Sequence, residues 1–288
     1  MSEPAPFQCL MTGLPETGKT TFLAALWYVA KSHEIPGSMR LERREGDQEY
    51  LNQIADAWSK CAELKRTPGE GEMGVTILLR DPENNGLVRL SIPDMSGELF
   101  ARQWESRSCT AEFADLVNQV GGCLLFLHPA KMTEAQWIAE ANATLEGWPG
   151  VENGEKEEAV EQTGTDWEAK TASTQVQIVG LLQFMAELTD RNLRLAVVVS
   201  AWDLVTEPTT PAEWVEKRMP LLWQYITANP ALYSASFIGV SAQGGERSDA
   251  SLLEHETASH RIRVDAPGSK EHDISHPVRW LMSSTASN

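Results

Sequence analysis

Residues 13–22 read GLPETGKTTF, and Gly13, Gly18, Lys19 and Thr20 satisfy the pattern G-x-x-x-x-G-K-[ST]. Each residue type has a task in phosphate chemistry. The glycines let backbone N–H groups close on phosphate oxygens, the lysine ammonium reaches the outer phosphates, and the threonine hydroxyl meets Mg²⁺. The nucleotide cradle predicted from this pattern comprises Gly13, Pro15, Glu16, Thr17, Gly18, Lys19, Thr20 and Thr21. A plain polar turn is the competing reading, but average composition produces the pattern in roughly one chain of this length in a hundred. A second stretch, IPDMSGE, supplies D-x-x-G at Asp94 and Gly97. That spacing alone is weak, with about one chance match per chain, so its placement decides. It follows a strand-like run, where the carboxyl edge of a sheet faces a ligand. An aspartate there can hold Mg²⁺ through water, and the glycine N–H can reach a terminal phosphate. The alternative is a helix-capping aspartate. The glycine loop alone does not tell an ATPase from a kinase or a GTPase, so the second stretch matters.

The elements that must position these residues follow from hydrophobic periodicity. FQCLMT is a short apolar run, and TTFLAALWYVAK repeats its apolar residues at helical spacing, so the glycine-rich turn joins a strand to a helix. MRLERREGD is a candidate strand, and residues 48–65 carry Leu51, Ile54, Trp58 and Cys61 at helical intervals. GVTILLRDPENNGLVRLSIPD is two strand-like runs about the turn PENNG. A helix is predicted over about 99–118. GGCLLFLHP and LRLAVVVSAWD have the continuous apolar character of strands buried on both faces of a parallel sheet. Further helices are expected in TQVQIVGLLQFMAELTDRN and in PAEWVEKRMPLLWQYI, the latter opened by Pro211, and SFIGVSAQG is a further strand. Residues 244–275 show no clear pattern, and HPVRWLM is expected to close the domain through Trp280. Strands alternating with helices predict an α/β fold: a three-layer, mostly parallel sheet with one antiparallel edge hairpin and a helical insertion.

From these motifs the chain resembles the Ras-like, translation-factor-related (TRAFAC) class of P-loop GTPases. In that class a strand ends in [NST]KxD, which reads guanine. Here VVVSAWDL offers Ser200, Ala201, Trp202 and Asp203, so the aspartate is present and the lysine is replaced by Ala201. The resemblance implies that Asp203 accepts from guanine N1–H and N2–H₂, donors that adenine lacks. It also implies that Ser241 and Ala242, in FIGVSAQGG, match the loop whose Ala242 N–H meets the guanine carbonyl. The hydroxyl that completes the Mg²⁺ shell falls on Thr67 or Thr76. Thr67, in a Gly/Pro-rich stretch, is preferred to the strand-bound Thr76. Glu98 stands where such enzymes often carry a water-orienting glutamine. It can accept from water but cannot donate to the γ-phosphate, so slow turnover is expected. Arg66, Arg102 and Arg107 lie near these segments as candidate charge neutralisers. The implied catalytic set is Lys19, Thr67, Gly97 and Glu98, the implied metal set Thr20, Thr67 and Asp94, and the cofactors GTP or GDP with Mg²⁺. The inserted helix, the Arg66–Thr67 pair and the closing HPVRWL make the chain most similar to the bacterial double-GTPase group of conflict and defence operons. That implies a nucleotide switch acting on an operon partner.

Charge and composition limit the alternatives. With 41 acidic against 24 basic residues the net charge is −17. This field opposes direct binding of nucleic acid or an anionic membrane. Cys9, Cys61, Cys109 and Cys123 show no metal-ligand spacing and fit a reducing cytoplasm. His255 and His260 are five apart, not the four that one helical face requires of a zinc protease. His128 reads as a strand-end residue. The organisation expected is a single domain over 1–288 with an inserted strand and helix at 34–66, an acidic mobile loop at 146–172 and a C-terminal extension at 245–288. Two other functions fit the motifs in part: a P-loop ATPase or small-molecule kinase, and a GTP-binding scaffold that does not hydrolyse.

Overall fold

The computed structural model describes residues 5–43, 48–64, 74–93, 98–134, 169–245, 253 and 255–283. Among them run strands β1 (Phe7–Thr12), β2 (Arg40–Arg43), β3 (Val75–Arg80), β4 (Leu87–Ile92), β5 (Gly122–Leu127), β6 (Leu193–Ser200), β7 (Tyr233–Ser241) and β8 (Arg263–Asp265). The helices are α1 (Lys19–Ser32), α2 (Gln48–Ser59), α3 (Glu98–Ser106), α4 (Ala111–Gln119), α5 (Thr174–Glu187), α6 (Pro211–Arg218), α7 (Pro220–Ala228) and α8 (His276–Met282). The strands form one sheet in the order β2-β3-β4-β1-β5-β6-β7-β8. β4, β1, β5, β6 and β7 are mutually parallel. The PENNG turn joins β3 antiparallel to β4, and β2 extends that edge antiparallel to β3. The other edge is closed by β8, antiparallel to β7.

Strand burial follows from this order. β5 lies between β1 and β6, and every one of its residues is buried, as a two-sided parallel strand requires. Its side chains alternate between two cores. Leu124 and Phe126 join α1, α2 and α8 on one face. Cys123, Leu125 and Leu127 join α3, α4, α5, α6 and α7 on the other. Burial raises the thiols of Cys9 and Cys123, the latter to about 12, so both behave as small apolar side chains.

Two helices expected from periodicity are each divided, for local reasons. The stretch over 99–118 breaks between α3 and α4, where Arg107 takes a left-handed φ of 54°. Thr110 then caps α4 by accepting from the Phe113 N–H at 3.3 Å. PAEWVEKRMPLLWQYI breaks at Met219, whose φ of −134° and ψ of 58° lie outside the helical region. Pro220 excludes the preceding residue from helical geometry and opens α7 at its own first position. α6 opens at Pro211 behind a complete capping box between Thr210 and Glu213. The segment without sequence pattern, 244–275, contains the short helical turn Ala258–Arg261 and β8. α8 docks through Pro277, Val278 and Leu281, while half-buried Trp280 lies under the guanidinium of Arg194, 4.4 Å from the ring centroid.

Candidate functional site

The order of strands reverses at β1, whose two neighbours lead in opposite directions along the sheet. Such a switch point opens a crevice at the strands' carboxyl ends, and the 13–20 loop lies there. Its glycines are required by its shape. A Cβ at Gly13 would lie 2.9 Å from the Phe126 carbonyl oxygen, and one at Gly18, which has a φ of 85°, would lie 2.9 Å from Ser200 Oγ. Gly18 is the N-cap of α1 and provides no side-chain cap, so the first-turn amides, which the helix cannot satisfy itself, face the loop. Lys19, only 3% exposed, folds its Nζ back to donate to the carbonyls of Gly13 and Leu14, both at 2.8 Å. Thr17 Oγ1 donates to the Leu14 carbonyl at 2.8 Å. Pro15 and Glu16 are exposed, and Glu16 pairs with Lys131 at 2.9 Å. The loop is thus a closed ring of backbone about a buried ammonium, open at the helix N-terminus.

A cavity of about 250 Å³ extends from this loop across the ends of β5, β6 and β7. It is lined by Gly18, Thr21 and Phe22 of the loop and α1, by Phe126 and His128 at the end of β5, by Asp203 and Leu204 after β6, and by Ala242 and Gln243 after β7. Asp203 is exposed to the cavity and accepts a hydrogen bond from Ser241 Oγ, which in turn accepts from the Gly244 N–H at 3.2 Å. Ser200 Oγ donates to the Leu127 carbonyl at 3.0 Å, joining the β6 end to β5. At the lysine position, Ala201 adopts a left-handed φ of 46°. Trp202 turns away, its ring lying where a Cβ on Gly239 would be 2.6 Å away, and its Nε1 donates to Asp265 Oδ2 at 3.0 Å. Behind the far loop, Trp58 Nε1 of α2 donates to the Ala242 carbonyl at 3.0 Å. The guanidinium of Arg261, 1% exposed, donates to Cys61 Sγ and to the carbonyls of Trp58 and Ser59 at 3.1 Å. Burial lowers the pKa of His128, assisted by Lys131 and opposed by Asp203 and Glu16.

The structure therefore brings Gly18, Thr21, Asp203 and Ala242 around one cavity, with Gly13, Lys19 and Ser241 directly behind its walls. Thr20 is half-buried in the first turn of α1. Glu98 is exposed as the first residue of α3. Thr67, Asp94, Gly97 and Arg66 lie outside the described residues. Thr76 is held within β3, opposite Ser91, and Arg107 covers the Trp104 ring at 3.8 Å. Sequence reasoning missed the lining roles of His128, Phe126 and Leu204, because a strand-end residue gives no signal until its neighbours in the sheet are known. Trp58 was legible only as a core position.

Comparison with solved structures finds bacterial selenocysteine-specific elongation factor EF-Sec, at 13% identity and a TM-score of 0.37, over 88% of this chain and 28% of that one. The GTP-bound GTPase-like domain of S. cerevisiae Ski7 matches at 12% identity and 0.42, over 84% of this chain and 44% of that one. The SRb-GTP/SRX signal recognition particle receptor complex of Chaetomium thermophilum matches at 10% identity and 0.40, covering 88% and 97%. The chain thus spans less than half the length of the first two. No curated protein matches it. The glycine loop, the residues that line the cavity and all but the last residue of the closing helix α8 fall within residues 10–281, over which the family model named Double-GTPase 1 matches, and the chain belongs to that family.

Proposed function

We propose that this chain is a Mg²⁺-dependent GTP-binding protein that hydrolyses GTP slowly and uses the bound nucleotide to control a protein partner. The observation that carries the reading is the single cavity joining the glycine loop to Asp203 and Ala242. Phosphates fit the loop because both glycines leave backbone where a Cβ would collide and because a buried ammonium lies beneath it. In this reading Lys19 and the amides of the 13–21 segment hold the phosphates. Asp203, aligned by Ser241, accepts from the guanine N–H groups, and the Ala242 amide meets the guanine carbonyl. Thr20, Thr67 and Asp94 form a hydroxyl and carboxylate set of the oxygen chemistry that Mg²⁺ takes. The metal, when bound, neutralises charge on the phosphate oxygens. Gly97 offers its N–H to the terminal phosphate, and Glu98 can orient water only as an acceptor, which keeps turnover slow. The partner is an operon neighbour in a bacterial conflict or defence setting, as family membership suggests.

The deciding experiment is competition of GDP, GTP analogue and ATP analogue against fluorescent GDP, with Mg²⁺ present, for wild type and Asp203→Asn. Guanine preference that collapses in Asp203→Asn is expected, and tight ATP binding indifferent to the substitution would favour the ATPase or kinase reading. Phosphate release from GTP that is lost in Lys19→Ala would exclude the non-hydrolysing scaffold.

A further inference from the structure

We propose that His128 is a nucleoside-contacting residue that covers the base near the ribose; this rests on the nucleotide reading above. Topology places it. β1, β5, β6 and β7 lie side by side, so a ligand that reaches from the loop after β1 to Asp203 after β6 and Ala242 after β7 must cross the carboxyl end of β5. His128 is the first residue beyond that end, and it lines the same cavity. A methyl group at Ala201, turned into the left-handed region, offers little surface to a purine.

The ring is also oriented for this task. Its Nδ1 accepts from the Ala130 N–H at 3.2 Å, so the proton of the neutral imidazole sits on Nε2 as a donor. The Lys131 to Glu16 pair, 2.9 Å apart, joins the turn that carries His128 to the glycine loop. The charged groups around the ring are Lys131 on its own turn, Glu16 from the loop after β1 and Asp203 from the loop after β6. Burial, the largest influence, and Lys131 act to keep the imidazole uncharged against the pull of the two carboxylates. An uncharged π face stacks on a base with little dependence on which base it is. His128 thus contributes affinity, and Asp203 contributes the choice of guanine.

The test uses the full chain with fluorescent GDP and with unlabelled GDP and ADP as competitors, for wild type, His128→Leu and His128→Phe. Leucine fills the volume without a π face and phenylalanine keeps the face, so neither leaves a hole, and thermal midpoints establish that each variant folds. His128→Leu is expected to weaken GDP by about 5- to 150-fold, the range of base–aromatic stacking, and His128→Phe to stay within about threefold of wild type. Wild-type affinity in His128→Leu overturns the proposal alone, as does equal weakening in both variants. ADP binding as tight as GDP in the wild type, with the Leu and Phe pattern intact, sinks the guanine reading and leaves His128 in place. A wild type that binds neither nucleotide overturns both.

Discussion

Ser241 holds two groups at once, donating to the Asp203 carboxylate and accepting from the Gly244 N–H at 3.2 Å. A hydrogen bond to a charged acceptor contributes about 1.5–3 kcal/mol, and here it fixes the direction of a carboxylate that is otherwise exposed. Ser241→Ala should therefore weaken GDP by roughly tenfold. Unchanged GDP affinity in a fluorescence titration would show that Asp203 is aligned by other contacts. Gly13, Gly18, Lys19, Asp203 and Ser241 were all readable as candidates, because their types and spacing encode local backbone geometry. The hydroxyl-to-carboxylate contact was not, because it joins the ends of two strands 38 residues apart in sequence.

At the scale of elements, the inserted helix α2 is more than an appendage. Trp58 is fully buried, its Nε1 holds the carbonyl of Ala242, and the indole sits 5.2 Å from the Arg261 guanidinium. α2 and the Ala258–Arg261 turn thus support the far loop of the cavity from behind. Trp58→Phe keeps most of the apolar volume and removes the indole N–H. It should cost about 1 kcal/mol of stability and speed GDP release by about fivefold. Stopped-flow displacement of fluorescent GDP measures this, and a release rate equal to wild type would confine Trp58 to core packing. Periodicity found α2 because its apolar stripe is regular. It overlooked the breaks at Arg107 and Met219, because each continues an apolar pattern across a residue whose backbone leaves the helix.

Across the whole molecule, Arg279 of α8 joins the nearby Asp273 to two distant segments. Its Nη1 pairs with Asp273 Oδ2 at 2.6 Å, its Nε with Asp81 Oδ2 at 3.2 Å, and its Nη2 donates to the Gly37 carbonyl. Both carboxylate side chains are only 1% exposed, so removing the cation leaves two buried charges. Arg279→Met should destabilise by about 3–5 kcal/mol, a large share of a typical domain's stability. Urea unfolding reads this directly, and a loss of unfolding free energy below about 1 kcal/mol would reduce the cluster to a surface pair. Protonation gives a second global prediction. Burial lowers His276 below its ordinary 6.5, with Arg279 acting the same way and Asp273 opposing, and His128 is lowered too. The unfolded chain then binds protons that the folded one refuses, so the stability these two imidazoles contribute is fully present well above pH 6.5 and falls as pH drops through that value, levelling off under the folded values. The thermal midpoint should decline between pH 6.5 and 5.5, and His276→Gln should make that decline shallower. An identical slope in the variant would remove His276 from the account.

What the sequence determined by itself was whatever short-range chemistry encodes: the glycine loop between a strand and a helix, the apolar strands of a parallel sheet, and the order of Asp94, Asp203 and Ser241 along the chain. Each depends on residues within one or two turns, or on a hydrophobic period that survives any arrangement of neighbours. The tertiary structure alone decided that β8 closes the second edge, that His128 stands in the wall between the loop and Asp203, and that Trp58 and Arg261 support the far loop. Those depend on which strand lies beside which, and strand order is chosen by the burial of two whole faces rather than by any local stretch.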